Sequence, residues 1–282
     1  MTTEMKIGVI TPIFNHKKFK NLMLTNLKSQ TYSHDKIVWY ILDDSKDNES
    51  LVDCIDDLKK ELHPISIKYK KLNNQISPIG KKRNLLVKSV EEGIVCHIEP
   101  DCLYKNNYLE SQVSSLLKNQ NNIVVSNNNH HLFVHDNFEK WMVCTQEAKE
   151  QFEQSMVYTK KYFKSMGGFN NKVKENEGYK LLNPKKMTYN NIIHTSLYVH
   201  NEKSKHEWRS SISKRVAQAR KLESDHFEKN EILCIGKCVF NDENWKHEED
   251  YEIIEDIPRE DLEPKVIEDP NNPKVCSTMC VP

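Results

Sequence analysis

The chain has 282 residues, and its 41 lysines and arginines are balanced by 41 aspartates and glutamates, so it is formally neutral. That length corresponds to one large domain or two small ones, and the missing basic excess excludes a dedicated nucleic-acid binder. Only seven glycines are present, and their spacing contains neither a GxGxxG fingerprint nor a Walker A loop, which excludes the two commonest glycine-rich phosphate cradles.

The elements follow one another in a regular order. Residues 6–13 are a short apolar run interrupted by Pro12, as expected of a buried parallel strand. Residues 17–30 carry Phe19, Leu22, Leu24 and Leu27 at helical spacing. Lys36 to Leu42 is a second apolar run ending in Asp43-Asp44-Ser45, and residues 50–62 are helical in period. Ile65 to Tyr69 alternates as a third strand, residues 79–90 read as a helix, and Gly93 to Ile98 as a fourth strand. This alternation predicts an α/β fold with a mainly parallel sheet between helices. Further on, the pattern gives a helix over 106–118, a short strand over 123–126, a polar turn over 127–131, and strand-like runs over 155–162 and 188–200. Residues 203–229 read as a charged helix. From Asp242 onward thirteen acidic residues face four basic ones, with five prolines among the last 25 residues, so an extended acidic tail is expected.

Eight scattered cysteines without paired CxxC spacing suggest reduced thiols. No segment approaches the roughly 18 apolar residues of a membrane span, and no secretory leader is apparent. A cytoplasmic location is the expectation, and the oligomeric state is left open.

In open parallel sheets, ligands bind beyond the carboxyl ends of the strands. Here those ends carry Thr11-Pro12-Ile13-Phe14-Asn15, Asp43-Asp44-Ser45 and Glu99-Pro100-Asp101. Phosphate chemistry without a glycine-rich loop commonly uses a divalent cation on carboxylates. The Glu99-Pro100-Asp101 triplet offers two carboxylates one residue apart, although an acidic turn that merely solvates a strand end has the same spelling.

Five motifs in this order resemble glycosyltransferase family 2: Val-Ile-Thr-Pro-Ile-Phe-Asn, Leu-Lys-Ser-Gln-Thr-Tyr, Tyr-Ile-Leu-Asp-Asp-Ser, Ile-Gly-Lys-Lys-Arg-Asn, and the acidic triplet. The resemblance covers residues 5–118 well and 150–205 loosely. It implies a GT-A fold, a nucleotide-diphosphate sugar donor (UDP-linked being favoured), a divalent cation such as Mn2+ or Mg2+, and inversion at the sugar carbon. It divides the chain into a catalytic domain over 1–205, with a nucleotide-sugar half (1–118) and an acceptor half (119–205). A helical extension (206–241) and the acidic tail (242–282) follow.

The resemblance implies roles for individual residues. Thr11, Pro12 and Asn15 would floor the nucleotide base, and Asp43 or Asp44 would accept from a uracil nitrogen or ribose hydroxyl. One of these acidic residues, or Ser45, can equally cap the following helix. Lys81, Lys82, Arg83 and Asn84 open a helix where basic charge opposes the macrodipole, so an anionic ligand nearby would offset it. Where the family commonly has a run of aspartates, this chain has Glu99 and Asp101. Asp101 would keep the metal and Glu99 would support donor binding.

The general base of the family follows a paired-glycine segment. Here Gly167-Gly168 precedes Lys174-Glu175-Asn176-Glu177, which makes Glu177 the first candidate and Glu175 the second. His200, in the strand-like run, is a candidate third metal ligand. The acceptor would be a hydroxyl of a glycan or protein, a hydroxylysine-linked one among the options. Two other readings compete: a nucleotide-sugar binder without turnover, and a scaffold acting through its acidic tail.

Overall fold

The structure is a computed structural model that describes residues 5–118, 122–135, 141–144, 153–173, 177–182, 185 and 187–200. The expected helical extension and acidic tail lie outside these residues. Nine strands form one sheet in the order β3-β2-β1-β4-β8-β6-β9-β5, with β7 paired to β6. β1 (Ile7–Ile13), β2 (Ile37–Asp43), β3 (Ser66–Lys71) and β4 (Ile94–His97) are mutually parallel. β8 (Val157–Thr159) runs antiparallel between β4 and β6 (Ile123–His135). β9 (Met187–His200) runs parallel to β6, and β5 (Cys102–Tyr104) antiparallel to β9. β7 is Trp141–Cys144. The mixed, mostly parallel sheet agrees with the α/β fold read from the sequence.

Side-chain alternation sorts the strands onto two cores. Ile7, Val9 and Ile13 of β1, Ile37, Trp39 and Ile41 of β2, and Ile94 and Cys96 of β4 face one cluster. That cluster is covered by α1 (Lys20–Lys28), α2 (Ile55–Glu61) and α4 (Tyr108–Lys118). Ile10, Val38, Tyr40, Leu42 and Val95 face the other, covered by α3 (Ile79–Ser89) and α5 (Lys160–Ser165). A period of two with both faces apolar is what a strand buried on both sides requires. β3 is the exception. Its residues alternate exposed and half-buried, with Ser66, Lys68 and Lys70 outward, as suits a charged edge that resists further pairing.

Three expectations are corrected. Helical structure over 50–62 begins only at Ile55, because Ser50 and Leu51 are held instead by the carboxylate of Asp43. The polar stretch 127–131 is no turn: it continues β6, in register with β9 from Asn128↔Ile193 to His131↔Ser196. Long-range pairing overrides the weak strand preference of asparagine there. The strand-like run 155–162 is strand only over β8, after which Thr159 caps α5 by accepting from Tyr162 N at 3.2 Å.

Two buried amides, Asn26 on α1 and Gln30 just past its end, fix the segment beyond β4. Asn26 donates to Cys102 O (2.6 Å) and accepts from Tyr104 N (3.0 Å), while Gln30 donates to Lys105 O (3.0 Å) and accepts from Leu109 N (2.9 Å). They satisfy backbone groups of β5, of the turn after it and of the first turn of α4.

Candidate functional site

β2 lies on one side of β1 and β4 on the other, so the chain reverses its progress across the sheet beside β1. That is where a crevice opens at the carboxyl edge of such a sheet. Three loops meet there: 14–16 after β1, 44–46 after β2, and 98–101 after β4.

The loop after β1 turns on Asn15, a non-glycine residue in the left-handed region with φ 56°, which asparagine tolerates better than most. Its N–H donates to Ser45 Oγ (2.7 Å) and its side-chain oxygen accepts from Lys46 N (3.3 Å). Thr11 is fully buried. Its hydroxyl donates to Ile98 O (2.6 Å) and accepts from Trp39 Nε1 (2.8 Å), and Pro12 is buried beside it in β1. Asn15 thus joins the loops after β1 and β2, and Thr11 ties β1 to the acidic segment.

The two aspartates after β2 have different partners. Asp43 is fully buried and accepts from Ser45 N (2.9 Å), Ser50 Oγ (3.0 Å), Leu51 N (2.9 Å) and Tyr69 Oη (2.9 Å). Burial alone would raise its carboxyl, but bonds from Ser45, Leu51 and Tyr69 outweigh that and hold it below the ordinary value. Asp44 accepts from Ile76 N (2.6 Å) and pairs with the buried Lys82 ammonium. Lys82 also donates to Ile13 O (3.1 Å) and lies 5.7 Å from the Phe14 ring centroid.

The first turns of α3 therefore do something the sequence did not announce. Lys81 is exposed, whereas Lys82 and Arg83 are buried. Arg83 donates to Glu99 Oε1 (2.9 Å) and pairs with Glu177 through its other terminal nitrogen. Asn84 accepts from Phe169 N (2.8 Å) and donates to Phe169 O (2.9 Å) and Asn171 Oδ1 (2.7 Å). Arg83 and Asn84, expected to face an anionic ligand, have protein partners.

Glu99 and Asp101 also diverge. Glu99 is buried on Arg83, and burial pushes its carboxyl above the ordinary range against the pull of that guanidinium. Its N–H donates to Tyr104 Oη (2.9 Å), which in turn donates to Gln154 O (2.8 Å). Asp101 is half-exposed, and among the described residues its carboxylate takes no bond shorter than a 3.9 Å contact from Cys102 Sγ. Its electrostatic neighbour across the crevice is His16. Burial pushes that imidazole below the usual histidine range while Asp101 opposes the shift, and His16 Nδ1 is buried without a hydrogen-bond partner among the described residues.

Sequence reasoning missed two residues. His16 stands directly after the first motif, and its position next to a strand end was the available signal. Glu153 had no signal. It is buried, its Oε1 accepts from Gly178 N (3.0 Å), and it interacts electrostatically with Arg83 and Glu99. Of the two candidate bases, Glu177 is buried on Arg83, and Glu175 lies outside the described residues. His200 ends β9, opposite His135 in the β6 register. Cys102 pairs with Ser196, so this end of β9 lies on the side of β5 from which the acidic turn enters. The His200 side chain is outside the described residues.

Among the described residues, no three His, Cys, Asp or Glu side chains stand close enough to hold a metal by themselves. A half-exposed carboxylate, with an imidazole in its electrostatic reach whose Nδ1 has no hydrogen-bond partner among the described residues, fits a divalent cation that would take its remaining ligands from a bound diphosphate and water. A cleft of about 480 Å³ opens between Lys17, Lys18, Lys20 and Asn21 on one side and Glu49 and Asp53 on the other. It contains no residue of the acidic turn, so the strand ends and not this cleft define the site.

Gly80 and Gly168 hold the site closed. A Cβ on Gly80 would stand 2.3 Å from Asn170 O and 3.0 Å from Glu177 Cβ. Gly168 has φ 72°, and its Cβ would meet Asn84 Oδ1 at 2.6 Å. Gly80→Ala is expected to cost about 2 kcal/mol by wedging α3 from the 170–177 segment. Gly93→Ala, with open space around its Cβ, should stay within about 0.5 kcal/mol. Equal urea midpoints for the two variants would refute this account of the packing.

His97 sits beneath the site, bonded to Tyr158 Oη (3.0 Å), and burial, with Arg83 adding, lowers its imidazole well below the usual range. Below about pH 6.5 the unfolded chain gains a proton that the folded chain refuses, so this contribution to stability falls as the pH falls. His97→Gln should therefore flatten the decline of melting temperature between about pH 6.5 and 5. An unchanged slope would show that another group sets it.

An open α/β sheet with an acidic turn at its carboxyl edge, crossed by a late antiparallel strand, is the architecture of the GT-A glycosyltransferases. The glycosyl transferase family 2 model matches residues 8–169, more than half of the chain, and the chain belongs to that family. It is a glycosyltransferase. Among solved structures it is similar to residues 1–349 of S. aureus TarS, with a TM-score of 0.53 and 14% identity over 83% of this chain and 81% of that one. The mannosyltransferase PcManGT of Pyrobaculum calidifontis, solved with GDP-Man and Mn2+, gives a TM-score of 0.53 and 14% identity over 77% and 64%. GalNAc-T7, solved with UDP, GalNAc and Mn2+, gives 0.51 and 11% over 69% and 44%. Comparison with curated proteins gives no match. Among the described residues no helix is long and apolar enough to cross a membrane.

Proposed function

We propose that the chain transfers a sugar, with inversion, from a UDP-linked donor to a hydroxyl of a glycan or protein acceptor, assisted by Mn2+ or Mg2+, in the cytoplasm. The observation that carries this reading is Asp101. It is the carboxylate of the acidic turn that protein donors among the described residues leave open, at the crevice between β1 and β4. TarS has been solved with UDP and with UDP-GlcNAc, which supports a uridine donor here.

In this reading Asp101 holds the cation, with His200 as a further ligand and His16 beside it. When bound, the cation stabilises the departing diphosphate as a Lewis acid. Asn15 and Pro12 border the base, Asp43 or Asp44 lies on the nucleoside side, and exposed Lys81 meets the phosphates. Glu177, with Glu175 as the alternative, removes the proton of the acceptor hydroxyl as it attacks the sugar carbon.

The test is a panel of UDP-glucose, UDP-galactose, UDP-GlcNAc and GDP-mannose, followed by thermal shift with and without manganese and by donor hydrolysis. A selective shift is expected for one uridine donor, since a ligand bound only by the folded state stabilises it. Stabilisation without hydrolysis would favour the reading as a binder lacking turnover. No shift with any donor would sink both.

A further inference from the structure

We propose that Arg83 is a positioning residue for the transfer: it locks the acidic turn and the segment carrying Glu177 into one relative placement. The inference rests on the transferase reading above. It concerns how that site is held rather than what it turns over.

Two terminal nitrogens of a single guanidinium reach two segments distant in the chain, Glu99 of the acidic turn and Glu177 beyond α5. All three side chains are buried. A charged pair in that setting is strongly perturbed when one partner is removed, because the remaining charge has no solvent to turn to. Without Arg83, Glu99 and Glu177 would face each other as like charges, with Glu153 adding a third. The guanidinium carbon lies over the Phe169 ring, 5.9 Å from its centroid.

The neighbours of Arg83 serve the same geometry. Asn84 holds both backbone groups of Phe169. Glu153 accepts from Gly178 N, next to Glu177, and Asn170 N donates to Glu177 O (2.8 Å), so that turn is held from several sides. Lys82, one residue before, ties the end of β1 to Asp44. Donor-side loops and the Glu177 segment therefore meet on the opening turns of α3. The clamp also gives Glu99 a role other than the donor binding that the resemblance implied. Its carboxylate is a mechanical link to Arg83, and the side chain one methylene longer than aspartate makes that reach.

The test uses the full chain with the nucleotide sugar it hydrolyses, and compares Arg83→Gln, Arg83→Lys, Glu177→Gln and the Arg83→Gln/Glu177→Gln double variant. Arg83→Gln should lower kcat on the order of 100-fold, the scale of a misplaced catalytic group, with donor Kd changed by less than about 3-fold. Arg83→Lys, which keeps the charge and loses the fork, should fall between. The double variant should lose little more than Glu177→Gln alone, as residues acting through one another are non-additive. Kd rising in step with the loss of kcat would make Arg83 a donor contact, and additive losses would separate it from Glu177; either overturns the proposal. If Arg83→Gln does not fold, Arg83→Lys carries the same kcat-against-Kd comparison. If the wild-type chain turns over no donor, the transferase reading fails separately. Hydrogen exchange at the amides of Asn170 and Gly178 then decides the clamp: faster exchange in Arg83→Lys supports it and unchanged exchange overturns it.

Discussion

Asp101→Ala is expected to abolish manganese-dependent donor turnover, lowering kcat on the order of 10²- to 10³-fold, while the melting temperature moves by less than about 2 °C. The large effect follows from chemistry. A cation that neutralises a departing diphosphate supplies several kcal/mol at the transition state, and each 1.36 kcal/mol is about tenfold in rate. The small effect follows from packing, since Asp101 is half-exposed and makes no close hydrogen bond among the described residues. Glu99→Gln offers the contrast. Glu99 is buried on Arg83, so that variant should lose stability as well as rate. The measurement is steady-state hydrolysis across a manganese titration beside a thermal melt. Turnover in Asp101→Ala with an unchanged manganese requirement would remove Asp101 from the cation site.

The largest loss of stability is expected at Asp43. Its carboxylate accepts from two backbone N–H groups and two hydroxyls in a site closed to solvent. Alanine there leaves those donors unanswered, at about 1–3 kcal/mol for a buried unsatisfied group; with partial relaxation we expect about 3–4 kcal/mol in total. Asparagine retains one acceptor and should cost about half as much. The pH dependence has a definite sign. The folded-state value is held below the ordinary one, so the contribution is complete above about pH 4 and disappears as the pH falls through the folded value. Urea unfolding at pH 7 and pH 3 measures this directly: the gap between wild type and Asp43→Ala should narrow at the lower pH. A gap that does not change with pH would mean that the hydrogen bonds do not depend on the charge. If Asp43 contacts the nucleotide instead, Asp43→Asn would weaken donor binding and leave the urea midpoint in place.

Much of residues 5–118 was legible in the sequence because its signals are local. Strand runs buried on both faces, such as Ile37–Asp43, are apolar throughout. Helices such as Ile79–Ser89 announce themselves by period. The described residues beyond 118 were less legible. The asparagine- and histidine-rich stretch of β6 has no strand signature of its own and is strand because β9 pairs with it. Residue proximity to strand ends pointed to the candidate site, and the ordered motifs gave the family.

The sequence by itself determined which phosphate-binding devices were impossible. Seven glycines at those spacings cannot build either glycine-rich cradle, whatever the fold. It also determined which acids stand at the carboxyl edge, because chain order places them after strands. Which way charged side chains turn was decided only by the tertiary structure. Lys81, Lys82 and Arg83 are adjacent and alike in charge, yet one faces solvent, one Asp44, and one Glu99 and Glu177. Successive helix positions point about 100° apart, and a buried charge persists only where an opposite charge arrives from another segment. The placement of those segments is a property of the packed sheet and is written in no local stretch of the chain.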